Sequence, residues 1–245
     1  MGPGADAARA AGMDPAALAA LLNWWKLAGV ESLVGENPVP WLRAAEPDQL
    51  TAPAPRAPAP PPRTAAEGWW TSAESLAALT AEVAARHPRA PFADGNAASG
   101  LMIMGEAPSA EDLRSGRPFS GPAGIFLDRM LAAIGRDRSS CYIALLCPRR
   151  ATPGPAAPED IEQDIALTMA HIRLAAPRHL LLLGANPAQA LTGETAPITR
   201  LRGNWLSVGG IPALASFNPA YLLRRPEEKA LAWADLLALK HRINQ

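Results

Sequence analysis

From about residue 71 onward the sequence predicts an α/β fold, a three-layer α/β/α sandwich with a central, mainly parallel four-stranded sheet. Two observations predict it. Segments with apolar residues at helical spacing alternate with short apolar runs, and those runs are bounded by glycine or proline. Such alternation places helices on both faces of a parallel sheet. A chain of 245 residues with 49% hydrophobic content can also bury one substantial core.

Taken in order, residues 1–50 form an N-terminal segment with one amphipathic helix. Asp14-Pro15 supplies an N-cap and a first helical residue, AALAALLNWWKLA (16–28) sets Leu18, Leu21, Leu22 and Trp25 at helical spacing, and Gly29 can stop the helix. Residues 51–70 read as a linker, because every proline in APAPRAPAPPPR (52–63) lacks a backbone donor. The first helix is therefore tethered, free to dock on the main domain or on a protein partner. The folded domain spans 71–245. It is expected to hold a helix at 72–86, strands at 101–104, 141–146, 179–183 and 212–217, and helices near 122–134, 158–175, 185–192 and 227–242. Ligands of such a sheet bind outside the carboxyl ends of its strands. That rule selects Gly105 to Asp112, Leu145 to Arg150, Gly184 to Asn186, and Asn218 to Arg224.

Composition narrows the function classes. With 23 Lys+Arg against 23 Asp+Glu there is no global positive field, so a nucleic-acid role must rest on local residues. Two cysteines, Cys141 and Cys147, are too few for a disulfide framework or a four-thiolate site. The N-terminus lacks the apolar core of a signal peptide, and no apolar run is long enough to span a bilayer. The expectation is a soluble, cytoplasmic monomer with no membrane association.

The chemistry concentrates after the first strand. Gly105-Glu106-Ala107-Pro108 is a turn offering backbone N–H groups and a carboxylate, a set suited to a polar heterocycle or a positioned water. Gly116-Arg117-Pro118-Phe119-Ser120-Gly121-Pro122-Ala123-Gly124 then leads into a helix. Together these segments resemble the first motif of the iron-sulfur (family 4) branch of the uracil-DNA glycosylases. Ile198-Thr199-Arg200-Leu201-Arg202-Gly203, Asn218-Pro219-Ala220-Tyr221-Leu222-Leu223-Arg224 and Trp233-Ala234-Asp235-Leu236 continue the resemblance in order, over about residues 71–243.

The resemblance implies DNA as partner and excision of uracil or another deaminated base as activity. It implies Glu106 and Asn218 as catalytic residues, with Gly105, Ala107, Phe119 and Leu145 around the base and the Phe119 ring stacked on it. An enzyme of this kind must extrude its base and fill or pry the duplex. For that, Leu222 and Leu223 suit a wedge, and Arg202 and Arg224 suit contact with DNA.

The family pattern also breaks. Its cluster uses four cysteines, yet His87-Pro88-Arg89-Ala90-Pro91 occupies the region of the first pair. Asp164 falls where a helix cysteine would be, and only Cys147 could match a ligand. One thiolate cannot hold a 4Fe-4S cluster, so no cofactor and no metal are expected. Leu145 stands where the family's base-reading Asn follows the second strand, and Asn218 replaces its last-motif His. An amide can donate a hydrogen bond but cannot carry a charge. A reading from another class therefore stays open, a catalytically silent relative that binds DNA or a protein partner.

Overall fold

A computed structural model describes residues 68–149 and 158–245. The expected N-terminal helix, the proline-rich stretch 52–63 and the loop 150–157 lie outside the described residues. A 3-10 turn, Trp69–Ser72, leads into α1 (Leu76–Arg86), β1 (Ala93–Gly95), β2 (Leu101–Gly105), α2 (Ala110–Ser115) and α3 (Pro122–Ala133). β3 (Tyr142–Leu145), α4 (Pro158–Ala175), β4 (His179–Leu183), α5 (Ala185–Thr192) and α6 (Ile198–Leu201) follow. β5 (Trp205–Val208), β6 (Ile211–Ser216), α7 (Pro219–Arg224) and α8 (Lys229–Ile243) complete it.

The sheet order is β1-β3-β2-β4-β6-β5. β3, β2, β4 and β6 pair in parallel, and they are the four strands read from the sequence. The expected count of four is corrected to six, because β1 and β5 add antiparallel edges. β1 is only Ala-Asp-Gly, too short and polar to show a strand pattern. β5 joins β6 through Gly209-Gly210, whose φ values of 56° and 87° meet the demand of a two-residue hairpin turn for positive φ at both positions.

Alternate side chains of each central strand face opposite layers. Leu101, Ile103, Ile143, Leu145, Leu181, Leu183 and Leu214 share one core with Leu127 and Leu131 of α3, Leu222 of α7 and Leu236 and Leu239 of α8. Met102, Met104, Tyr142, Ala144, Leu180, Leu182 and Ala213 share the other with Ile172 of α4, Ala188 and Leu191 of α5 and Leu201 of α6. Helices therefore cover both faces, and the central strands carry no polar face. No helix among the described residues is long and apolar enough to cross a membrane.

The first expected helix starts later than residue 72. Ser75 caps α1 by accepting from Ala78 N at 3.1 Å, which satisfies an orphan donor of the first turn. Ahead of it Trp70 is buried with Leu79, Val83, Phe92, Ala166 and Leu167. Trp69 and Trp70, at the end of the expected linker, thus belong to the folded unit.

Between α4 and the sheet, His171 is stacked on Phe92 at 4.2 Å and shares a 2.9 Å hydrogen bond with the Tyr142 hydroxyl. Burial pushes the His171 pKa down from 6.5 to about 3, so the ring is neutral. The unfolded chain protonates this ring below pH 6.5 and the folded chain does not, so folding stability is complete above that value and falls as pH drops toward 3. Between pH 7 and 5 the loss from His171 should be about 2 kcal/mol, above the range where carboxylates titrate. Thermal melts of the wild type should show this decline. His171→Gln should flatten it to the smaller slope left by His87 and His179, whose pKa values burial also lowers.

Candidate functional site

The site begins where β2 ends. A Cβ at Gly105 would stand 2.6 Å from two atoms of the Phe119 ring and 2.8 Å from Leu145 Cδ2. Without a side chain at 105, the ring lies directly against the strand end. Phe119 itself has φ 54°, a left-handed conformation that costs energy for a residue with a Cβ. Its neighbours hold it there. Arg138 Nη2 donates to the Phe119 carbonyl at 2.6 Å, and Asp112 Oδ1 accepts from Ser120 N at 2.6 Å. α3 comes so close that a Cβ at Gly124 would fall 1.6 Å from the Phe119 oxygen.

Asp112 is buried and ties the two halves of the motif together. Its Oδ2 accepts from Ser109 N while Ser109 Oγ accepts from Asp112 N, a capping box that starts α2. Its neighbour Glu111 pairs with Arg114 at 3.0 Å and is half-buried at the rim of a cavity.

A cavity of ≈ 640 Å³ opens over this turn. Glu106, Ala107, Phe119, Leu145, Asn218 and Arg224 all line it. Six residues from four segments of the chain therefore meet at the carboxyl end of the sheet, in a volume typical of small-molecule pockets. Glu106 Oε1 accepts from Asn186 Nδ2 at 2.5 Å, which fixes the carboxylate from the first turn of α5. Asn218 is the N-cap of α7, its Oδ1 accepting from Ala220 N at 2.8 Å. Its Nδ2 reaches the Leu183 carbonyl at 3.4 Å. A carboxamide carries two N–H bonds, so one N–H remains beyond the bond to Leu183, on a residue that lines the cavity. Leu145 is buried and contributes an apolar wall with no hydrogen-bonding group.

Two residues expected at a DNA surface serve the core instead. Leu222 is 0% exposed and packs under α7, whereas Leu223 beside it is 43% exposed. Leu222 therefore cannot be part of the expected wedge, and of the pair only Leu223 is exposed. Arg202 is also corrected, because its guanidinium is spent inside the protein. Nε donates to Asp235 Oδ2 at 3.1 Å, Nη2 donates to the Leu231 carbonyl at 2.7 Å, and Nη2 also pairs with Asp235 Oδ1. Asp235 in turn accepts from Ser216 Oγ at 2.7 Å. Burial pushes the Asp235 carboxyl up from its ordinary value, and the bonds from Ser216 and Arg202 pull against it. This group locks α8 to the end of β6, and so fixes where Asn218 emerges.

Sequence reading missed Arg138, which belongs to no quoted motif. Asn186 fell in a strand-end segment that the sequence selected, but nothing there named Glu106 as its partner. Asp235 stood in a matching segment, but nothing in one sequence says that its partner is Arg202, 33 positions away.

A family model described as the uracil DNA glycosylase superfamily matches residues 92–237. The chain is 34% identical over 137 residues to a type-4 uracil-DNA glycosylase of Thermotoga maritima, a match covering 54% of this chain and 70% of that protein. A type-4 uracil-DNA glycosylase of Archaeoglobus fulgidus is 30% identical over 145 residues, covering 54% and 71%. One of Pyrobaculum aerophilum is 30% identical over 155 residues, covering 58% and 78%.

These relatives overturn the expectation of a protein without a cofactor. Type 4 is the iron-sulfur branch, so they point to a 4Fe-4S cofactor. The residues described do not fit that group: among them no set of three or more His, Cys, Asp or Glu is placed to hold a metal. The position of the expected helix cysteine holds Asp164, ion-paired with Arg149 at 2.7 Å.

The approach of α3 to the Phe119 carbonyl sets a test. Helix propensity alone favours Gly124→Ala by about 1 kcal/mol. The added methyl would overlap a backbone oxygen, so overpacking should prevail and the variant should lose about 1–3 kcal/mol, read as a lower Tm or denaturant midpoint.

Proposed function

Since this chain belongs to the uracil DNA glycosylase superfamily, we propose that it hydrolyses the N-glycosidic bond of uracil, or of another deaminated base, in DNA. The observation that carries this reading is the ≈ 640 Å³ cavity lined by Glu106, Phe119, Leu145 and Asn218. A base turned out of the duplex enters it and stacks on the Phe119 ring. Ala107 belongs to the turn that faces it, and Gly105, buried beneath the ring, lets the ring lie there. The free N–H of Asn218 donates to the departing base as negative charge develops on it, and a preformed donor of this kind acts mainly on the transition state. Glu106, held by Asn186, orients the water that attacks the sugar. Exposed Leu223 fills or pries the stack, and Arg224 meets a phosphate.

A second reading, a DNA- or protein-binding module without catalysis, is favoured by two features. Leu145 brings no hydrogen bond to the base, and the Asn218 carbonyl is spent on capping α7.

Purified protein incubated with uracil-containing single- and double-stranded oligonucleotides, followed by alkaline cleavage at abasic sites, separates the two readings. Strand cleavage that depends on uracil is expected, and its absence on both substrates favours the binding module. The cap suggests the cleanest variant. Asn218→Asp keeps an acceptor for Ala220 N but removes the donor, and loss of one such donor should slow excision by a factor of roughly a hundred to a thousand. Leu223→Ala should cost more on duplex than on single strands. Leu222→Ala should instead lower stability by about 2–5 kcal/mol.

A further inference from the structure

We propose that Arg138 is a positioning residue for the reaction, the group that holds the Phe119 ring in the orientation a flipped base needs. The inference rests on the glycosylase reading for its functional meaning, but its geometry stands on four bonds made by one guanidinium. Nη2 donates to the Phe119 carbonyl at 2.6 Å, and Nη1 donates to the Pro118 carbonyl at 3.1 Å. Nη1 also donates to Asp94 Oδ2 at 2.7 Å, and Nε donates to Asp128 Oδ1 at 2.8 Å. Thus one planar fork links β1, the turn after Pro118, α3 and its own 3-10 turn, Arg138–Ser140.

The fork grips the turn at its strained residue. A non-glycine residue at φ 54° persists only where its surroundings over-determine it, and a charge-assisted bond to its own carbonyl is the strong kind. Asp94 anchors the fork from the far side. It also accepts from Arg117 Nη2 at 2.9 Å, so a second cation, this one from the motif itself, closes onto the same oxygen. Burial works against the Asp94 charge, yet the bonds from Arg117 and Arg138 outweigh it and hold its carboxyl below the ordinary value. Lysine could not replace this arrangement, since an ammonium has no rigid fork to serve two carbonyls and two carboxylates at once. The ring so held lies over Gly105 and beside Leu145, where a Cβ at 105 would collide with it.

A role in positioning predicts coupling to the ring and to nothing else. In single-turnover excision from uracil DNA, Arg138→Ala should lower the rate by on the order of a hundredfold at most, the scale of a misplaced group. Affinity for the duplex should change little. In a Phe119→Ala background the same change should have almost no further effect, because what it positions is already gone. Additive losses across this double-mutant cycle would overturn the proposal in favour of a general stabilising role. Asp94→Asn supplies the gentler variant should Arg138→Ala fail to fold. It should give a smaller loss with the same coupling.

A readout without activity separates this inference from the glycosylase reading. With fluorine-labelled phenylalanine the four rings of the chain give four signals, and the Phe119 signal is assigned from Phe119→Ala. Asp94→Asn or Arg138→Lys should broaden or shift that signal, and Arg138→Lys should leave Phe92, whose ring stacks on His171, unchanged. An unmoved Phe119 signal would overturn the positioning role even in an active enzyme. An inactive wild type with a displaced Phe119 signal would overturn only the reaction.

Discussion

The contact of the Phe119 ring with the bare backbone of Gly105 is the constraint on which the rest of the site depends. It requires glycine at the end of β2, because any Cβ there would enter the ring. It requires the chain to bend back at φ 54° so that the ring can reach the strand. That bend in turn requires Gly124, because α3 must start beside the Phe119 carbonyl, and it requires Asp112 and Arg138 to bond the turn from either side. The three glycines in Gly-x-Pro-Phe-x-Gly-x-Ala-Gly serve different ends: Gly116 at φ 71° ends α2 in open space, Gly121 lies against Glu111, and Gly124 alone lets the chain close onto Phe119.

A second group at the other end of the cavity sets its opposite wall. Arg202, Asp235 and Ser216 form a nearly dry cluster beneath β6, and removing any one partner would leave buried polar groups unsatisfied. Through this cluster α8 and β6 share a fixed geometry, and Asn218 leaves the strand directly into the cap of α7. A residue can thus sit in a family motif and serve the architecture of the site while never meeting the substrate. Arg202 and Leu222 illustrate it, and Leu223 and Arg224 in the same segment face outward.

The central parallel strands were legible in the sequence because each is an apolar run with helices on both faces, and α4 and α5 fall where periodicity and glycine caps put them. The edge strands were not, since β1 is three residues long and β5 has one half-exposed face with mixed polarity. Of the candidate site, Glu106, Phe119, Leu145 and Asn218 were found from their places at strand ends and in motifs, and the fold brings them to one cavity. What stayed hidden was partnership. Arg138 with Asp94 spans 44 positions, Glu106 with Asn186 spans 80, and no local spacing encodes such pairs. Burial was equally invisible for Leu222 and Leu223, adjacent leucines whose separation depends on the exit angle of α7. The cofactor question turned on relatives as well, because counting cysteines in a single chain led away from the 4Fe-4S cofactor to which its matches point.

The proposed excision depends on a flipped uracil resting between the Phe119 ring and the Asn218 amide. A crystal structure of the protein with a duplex carrying 2′-fluoro-2′-deoxyuridine, which resists hydrolysis, tests it most directly. The uracil ring is expected stacked on Phe119, with the Asn218 Nδ2 directed at its edge and Leu223 in the vacated space of the duplex. A base left paired in the helix, or one lodged in the neighbouring cavity beside Leu146 and Cys147, would contradict it.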